Sequence, residues 1–243
     1  MSNDIFAIVW KEWRELIHQR SSRGGLMNWA IMVLIVGVLM PIQIGVEWAT
    51  NPVMLLAWTW PSFLAVMWIV ADSFAGERER HTLETLLASR LSDRSILYGK
   101  IVSTLLYGWS IEVASLIVGL ITVNVMHHDG LVLYPWTWLV GVLAFSLVGI
   151  LIISTIGCLT SMHADSARSA YQRMSLSIFA IIVIPSVILS MLPEEVRSSV
   201  LGRLEFHPTP AFFAAVGVGL IAIEAVLVWF TLQRFQRTKL ILD

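Results

Sequence analysis

Residues 76–100 read GERERHTLETLLASRLSDRSILYGK, a dense charged stretch set between two long apolar runs. Helical spacing puts Leu83, Leu86 and Leu87 on one face. On another, Glu77 and Arg80 fall at i,i+3 and Arg80 and Glu84 at i,i+4, where opposite charges can pair. The spacing predicts a helical segment over 76–95 that lies outside the membrane as a handle and offers its leucines to a partner. Everything around it is of opposite character.

Hydrophobic residues make up 57% of the 243 and charged residues only 14%, and the mean hydropathy is +0.77, which excludes an ordinary soluble domain. Runs long enough to cross a hydrocarbon layer of about 30 Å occur at Leu26 to Val46, Val53 to Phe74, Ile96 to Val125, Trp136 to Met162, Met174 to Leu192 and Ala211 to Leu232. The expectation is an all-α integral membrane protein, one transmembrane domain over 1–243, with six spans. Pro61 and Pro185 would kink the second and fifth of them.

Lysine and arginine orient the bundle, because positively charged loops stay cytoplasmic. Lys11, Arg14, Arg20 and Arg23 precede the first run, and Arg78, Arg80, Arg90, Arg94 and Lys100 follow the second. Arg168 and Arg173 follow the fourth, and Arg234, Arg237 and Lys239 the sixth. Of the sixteen, only Arg197 and Arg203 fall on the other side. Both termini and the handle are therefore expected in the cytoplasm. Lys11, Glu12, Arg14 and Glu15 interrupt the place of an apolar core, so a signal peptide is not expected here. Ile5, Ile8, Val9, Trp13, Leu16 and Ile17 instead form a stripe opposite Lys11, Arg14, Glu15 and His18, so 1–25 reads as an amphipathic helix resting in the cytoplasmic interface. The one sizeable outer segment, 193–210, is expected to be a short interfacial helix or an irregular loop.

The handle's wording, Glu77-Arg78-Glu79-Arg80-His81-Thr82-Leu83-Glu84-Thr85-Leu86-Leu87-Ala88-Ser89-Arg90-Leu91-Ser92, resembles the cytoplasmic segment after the second span in permease subunits of type-2 ABC transporters. In those the pattern is E-R-E-x-G-T-L-E-x-L-L-x-S-P-[VI]-S. His81 stands where that pattern has glycine, and Arg90 where it has proline. The resemblance implies two permease subunits, identical or related, joined to two ATPase subunits that carry ATP and magnesium. It also implies a coupling helix, here Glu77, Arg80, Leu83, Glu84, Leu86, Leu87 and Arg90, that docks on the ATPase. The family mostly exports, and it too begins with an interfacial helix.

No G-x-x-x-x-G-K-[ST] occurs, so nucleotide binding is expected in another subunit, with no cofactor in this chain. The lone Cys158 falls inside a span, and no thiol or serine-hydrolase motif appears. His127-His128-Asp129 reads either as a metal site or as a polar loop. No nucleic-acid partner is expected. Within the spans, Glu112 and Glu224 lie near the middle, where a charge is costly. Glu112 shares a small, polar stripe with Thr104, Gly108, Ser115, Gly119 and Thr122, a face that should meet protein or water. Each acid either lines a pathway or is a neutral, hydrogen-bonded residue of the bundle. Trp58, Trp60 and Trp68 either line a route for an amphiphilic or cationic substrate or simply pack. Trp48, Trp136 and Trp138 read as an outer aromatic belt, and Asp72 as a local partner of Arg78 or Arg80. A stand-alone ion- or proton-coupled carrier using Glu112 and Glu224, or an intramembrane enzyme, remain as other classes.

Overall fold

The computed structural model describes residues 2–18, 23–126, 130–194, 196 and 210–235, and among these all regular structure is helical. Helix α1 (Ser2–His18) is followed by a first apolar stretch built of α2 (Arg23–Leu34), a π-helical turn (Ile35–Leu39) and α3 (Met40–Ile44). Two short helices, α4 (Glu47–Thr50) and α5 (Pro52–Ala57), lead into α6 (Thr59–Glu79), and α7 (Leu83–Leu87) forms the handle. Four long helices complete the chain: α8 (Asp93–Met126), α9 (Trp136–Met162), α10 (Ala167–Met191) and α11 (Pro210–Arg234).

Among the described residues five stretches are long and apolar enough to cross a membrane: Leu26–Ile44, Met54–Glu79, Asp93–Met126, Trp136–Met162 and Val216–Arg234. They match the first four and the sixth of the expected spans. The fifth, Met174 to Leu192, lies on the 25-residue helix α10. The segments 20–22, 127–129 and nearly all of 193–210 lie outside the described residues.

The second span departs from expectation at both ends. It breaks at Trp58, and Pro61 sits in the first turn of the new helix α6, where its missing N–H has no intrahelical partner to lose. At the other end α6 runs on through Gly76-Glu77-Arg78-Glu79, so those charges finish a span and are not the start of a separate helix. The first span has a different answer to its proline. Pro41 would press on the carbonyl four residues back, that of Gly37. The π turn covers this site, and Thr122 Oγ1 of α8 donates to the Gly37 carbonyl at 2.9 Å.

The small, polar stripe of α8 faces protein, as its residue types require. Thr104, Gly108, Glu112, Ser115 and Gly119 are buried. A Cβ at Gly119 would lie 2.0 Å from the Trp48 indole, so only glycine admits that ring. Trp48 is therefore core, wholly buried against Trp58 and Tyr134, and not part of a belt. Trp136, 74% exposed, fits a belt position. Helix α6 lies between α8, α9 and α10. Ser161 of α9 inserts into its backbone, donating to the Ala71 carbonyl at 2.7 Å and accepting from the amides of Phe74 and Ala75. At 34 residues, α8 rises about 51 Å, well beyond a hydrocarbon core of about 30 Å. Its first turns are buried against the end of α6 and receive α1.

Candidate functional site

The end of α6 shapes the handle. The Thr82 amide donates to the Glu77 carbonyl and the His81 amide to that of Arg78, the paired bonds of a Schellman stop. The residue after such a stop takes a left-handed conformation, and His81 does so with φ 56°, the single positive φ of a non-glycine among the described residues. This is the position where the type-2 permease pattern has glycine. His81→Gly is expected to stabilise the protein by about 1 kcal/mol, by relieving the Cβ contact that disfavours this region. The check is thermal unfolding in detergent, with a rise in Tm of a few degrees.

The turn folds α7 back so that Leu83 and Leu87, 4% and 3% exposed, enter a core with Phe74, Ile96 and Leu97. Leu86 packs against the same cluster. This reverses the expected face: the leucines hold the handle to its own chain, because the starts of α8 and the end of α6 present apolar residues beneath it. The outward face is formed by Glu84, Thr85, Ala88 and Arg90.

The charged residues are also re-paired. Arg80 turns back to Asp72 with two hydrogen bonds of 3.0 and 3.2 Å, so neither Glu77 nor Glu84 is its partner. Arg78 donates to the carbonyls of Met162 and Ala164, where a cation suits the end of a helix. Glu77 is buried and bound by two lysines, Lys11 of α1 and Lys100 of α8. Glu12 of α1 completes the group, 2.7 Å from Lys100 and 3.7 Å from Lys11. Burial alone would push the Glu12 carboxyl up, but the charges of Lys100 and Lys11 outweigh it and hold the group below the ordinary carboxylate range. Glu12 of α1 thus faces protein beside Ile8, 2% exposed, while Arg14 of the expected polar side is exposed and Phe6 and Trp10, which lie outside the expected stripe, are 68% and 62% exposed. Sequence reasoning missed this cluster. The signal for it was faint: Ile8 and Glu12 stand one turn apart, marking one buried face.

The two membrane acids belong to different helix pairs. Ser62 of α6 donates to Glu112 Oε2 at 2.9 Å, and Thr155 of α9 donates to Glu224 Oε1 at 2.7 Å. The second oxygen of each is buried without a hydrogen-bond partner. Glu112→Gln is expected to leave folding within about 1 kcal/mol of the native chain, since the amide oxygen still accepts from Ser62, whereas Glu112→Leu strands the hydroxyl at a cost of about 1–3 kcal/mol. Unfolding of the two variants in detergent separates them.

The tryptophans do not form one route. Trp58 stacks inward on Trp48 at 6.2 Å. Trp60, Leu64 and Trp68 recur every four residues along an exposed edge of α6, and Trp68 meets Tyr171 of α10 edge-on at 5.4 Å.

Two comparisons bear on this arrangement. No curated protein matches the chain. The family model described as ABC-2 family transporter protein matches residues 62–208, a stretch that holds α6, the handle and α8 to α10. That match covers more than half of a helical, multiply membrane-spanning chain, and the chain belongs to the ABC-2 transporter family.

Proposed function

We propose that this chain is the membrane-spanning permease subunit of an ATP-driven exporter in the cytoplasmic membrane. Two copies, or this chain and a related one, form the substrate pathway, and separate ATPase subunits bind ATP and magnesium. The chain itself is not an enzyme and holds no cofactor. In this reading α10 makes the fifth of six crossings, α1 and the handle are cytoplasmic, and so are both termini. The observation that carries the proposal is the family match running through a handle whose root is fixed on two sides, by Glu77 and by Arg78. A rigid root delivers a push at α7 into the spans without absorbing it in a flexible turn.

The docking face is Glu84, Thr85, Ala88 and Arg90, with Leu86 at its margin. Leu83 and Leu87 shape it from beneath, and Glu77 and Arg80 support it from the root. The Trp60–Leu64–Trp68 edge is proposed as a pathway wall, with Glu112, Glu224 and Trp58 acting within the bundle. The unpartnered oxygens of Glu112 and Glu224 favour one second reading, a carrier in which these acids take up protons or ions directly.

Orientation gives the test. In a chain lacking Cys158, a cysteine at Leu131, 80% exposed between α8 and α9, is expected to react with a membrane-impermeant maleimide added to intact cells. One at Ser89 is expected to react only after permeabilisation. Labelling of Ser89→Cys from outside would invert the topology and remove the docking face from the ATPase side.

A further inference from the structure

Lys11, Glu12, Lys100 and Glu77 form a closed ring of alternating charge. The contacts run Lys11 to Glu12 at 3.7 Å, Glu12 to Lys100 at 2.7 Å, Lys100 to Glu77 at 3.2 Å, and Glu77 back to Lys11. The four ring members balance in charge, Glu15 stands outside the ring 3.4 Å from Lys11, and Lys100, 1% exposed, is the most enclosed member. An ammonium has three donors. Those of Lys100 go to Glu12 on α1 and to Glu77 and the Ser73 carbonyl on α6, the last at 2.7 Å. Its charge also lies 5.1 Å from the centre of the Phe74 ring, which packs on Phe235 at the end of α11. Beside it, α1 and α8 meet closely: a Cβ at Gly99 would sit 2.6 Å from the Ile8 Cβ. Glu77 then connects the ring to the handle, since its backbone carbonyl takes the Thr82 amide in the turn that starts α7.

We propose that Lys100 is a positioning residue for coupling: through Glu12 and Glu77 it makes α1, the handle root and the start of α8 one body, so that α1 travels with the handle. The inference rests on the reading of the chain as an ATPase-coupled permease, but its static half does not need the ATPase. Surface ion pairs are worth little. The inner pair differs, because Lys100 and Glu77 are buried and removing one of them leaves an uncompensated charge, so the three helices separate only by breaking that pair.

The experiment places spin labels at Trp10 on α1 and Glu79 at the handle root, both exposed, in a chain lacking Cys158 and reconstituted in nanodiscs. A second pair, Glu79 with Leu131, reports movement of the root against the far end of the bundle. Without nucleotide, the Trp10–Glu79 distances are expected to be narrowly distributed in the native chain. They should broaden in Lys100→Met/Glu12→Gln, which keeps Lys11 in contact with Glu77 and Glu15. With the ATPase bound and trapped by ADP and vanadate, the native Trp10–Glu79 distance should hold within about 2 Å while Glu79–Leu131 changes by more. In the double variant the ATPase should still bind and trap nucleotide, yet the Glu79–Leu131 response should be lost. Lys100→Arg, which keeps the charge, should restore part of it. A merely structural lysine would lower stability and leave the response of the folded fraction intact, and that result overturns the proposal. So does a native Trp10–Glu79 distance that shifts by about 5 Å on trapping, the size of a one-turn slip, or an unbroadened distribution in the variant. A narrow native distribution with no ATPase bound and no nucleotide response in either pair instead overturns the permease reading, and with it the coupling role.

Discussion

Chains carrying Thr85→Asp together with Ala88→Asp are expected to insert and fold at native levels and to lose their ATPase. Both residues are exposed, Thr85 on α7 and Ala88 just after it, while Leu83 and Leu87 beneath are buried, so the change leaves the chain's own core untouched. It puts two carboxylates into a surface proposed to be desolvated on docking. Charges buried without partners cost several kcal/mol. Central interface positions are commonly worth 2 kcal/mol or more, about a 30-fold loss of affinity. Co-purification in mild detergent reads this directly, with Arg90→Ala at the margin expected to be milder. Leu87→Ala separates the two roles of the handle. It opens a cavity at a site 3% exposed and should cost about 2–5 kcal/mol of stability, while the surviving folded fraction keeps its ATPase. Undiminished ATPase recovery with the double aspartate would remove α7 from the interface.

Glu77→Ala is expected to give the largest loss of stability of any single change at the handle root, about 3–5 kcal/mol, because it leaves the buried Lys100 with Glu12 as its only carboxylate, one that Lys11 also contacts. The diagnostic is the partner change. Glu77→Ala/Lys100→Met leaves Lys11 with Glu12 and Glu15 at the more exposed side and an apolar methionine near Phe74, and should recover most of the loss. The coupling energy from a double-mutant cycle of unfolding measurements should therefore be large and compensating. Additive effects of the two substitutions would mean that the ring is not a unit.

The contrast between these two sets of residues tells what was legible in the sequence. Apolar runs declare spans whatever surrounds them, so most of the membrane helices follow from composition, and the α8 stripe announces its buried face through residue size alone. The handle was legible as a place but not as an orientation. Leu83, Leu86 and Leu87 mark an apolar face, and periodicity does not state whether that face meets another subunit or the chain's own core. The turn at His81, with its backward fold, decides that. Charge pairing was the least legible. Local spacing offered Arg80 the partners Asp72, Glu77 and Glu84, and because α6 continued through Glu79 it is the pair with Asp72 that forms. Glu77 found its partners 66 residues upstream at Lys11 and 23 downstream at Lys100. Such contacts depend on how α1 crosses α8, which no local pattern encodes. Trp48 was misjudged for the same reason: its slot is made by Gly119, on another helix.

The most direct test of the coupling claim is a photo-crosslinking amino acid placed at Ala88, with a second at the 60% exposed Trp229 of α11 as reference, irradiated in intact membranes. The account predicts one dominant protein adduct from position 88, to a polypeptide carrying the G-x-x-x-x-G-K-[ST] motif that this chain lacks, and none to that polypeptide from position 229. Irradiation of a correctly inserted chain that gives no such adduct at position 88, or gives it equally from position 229, would contradict it.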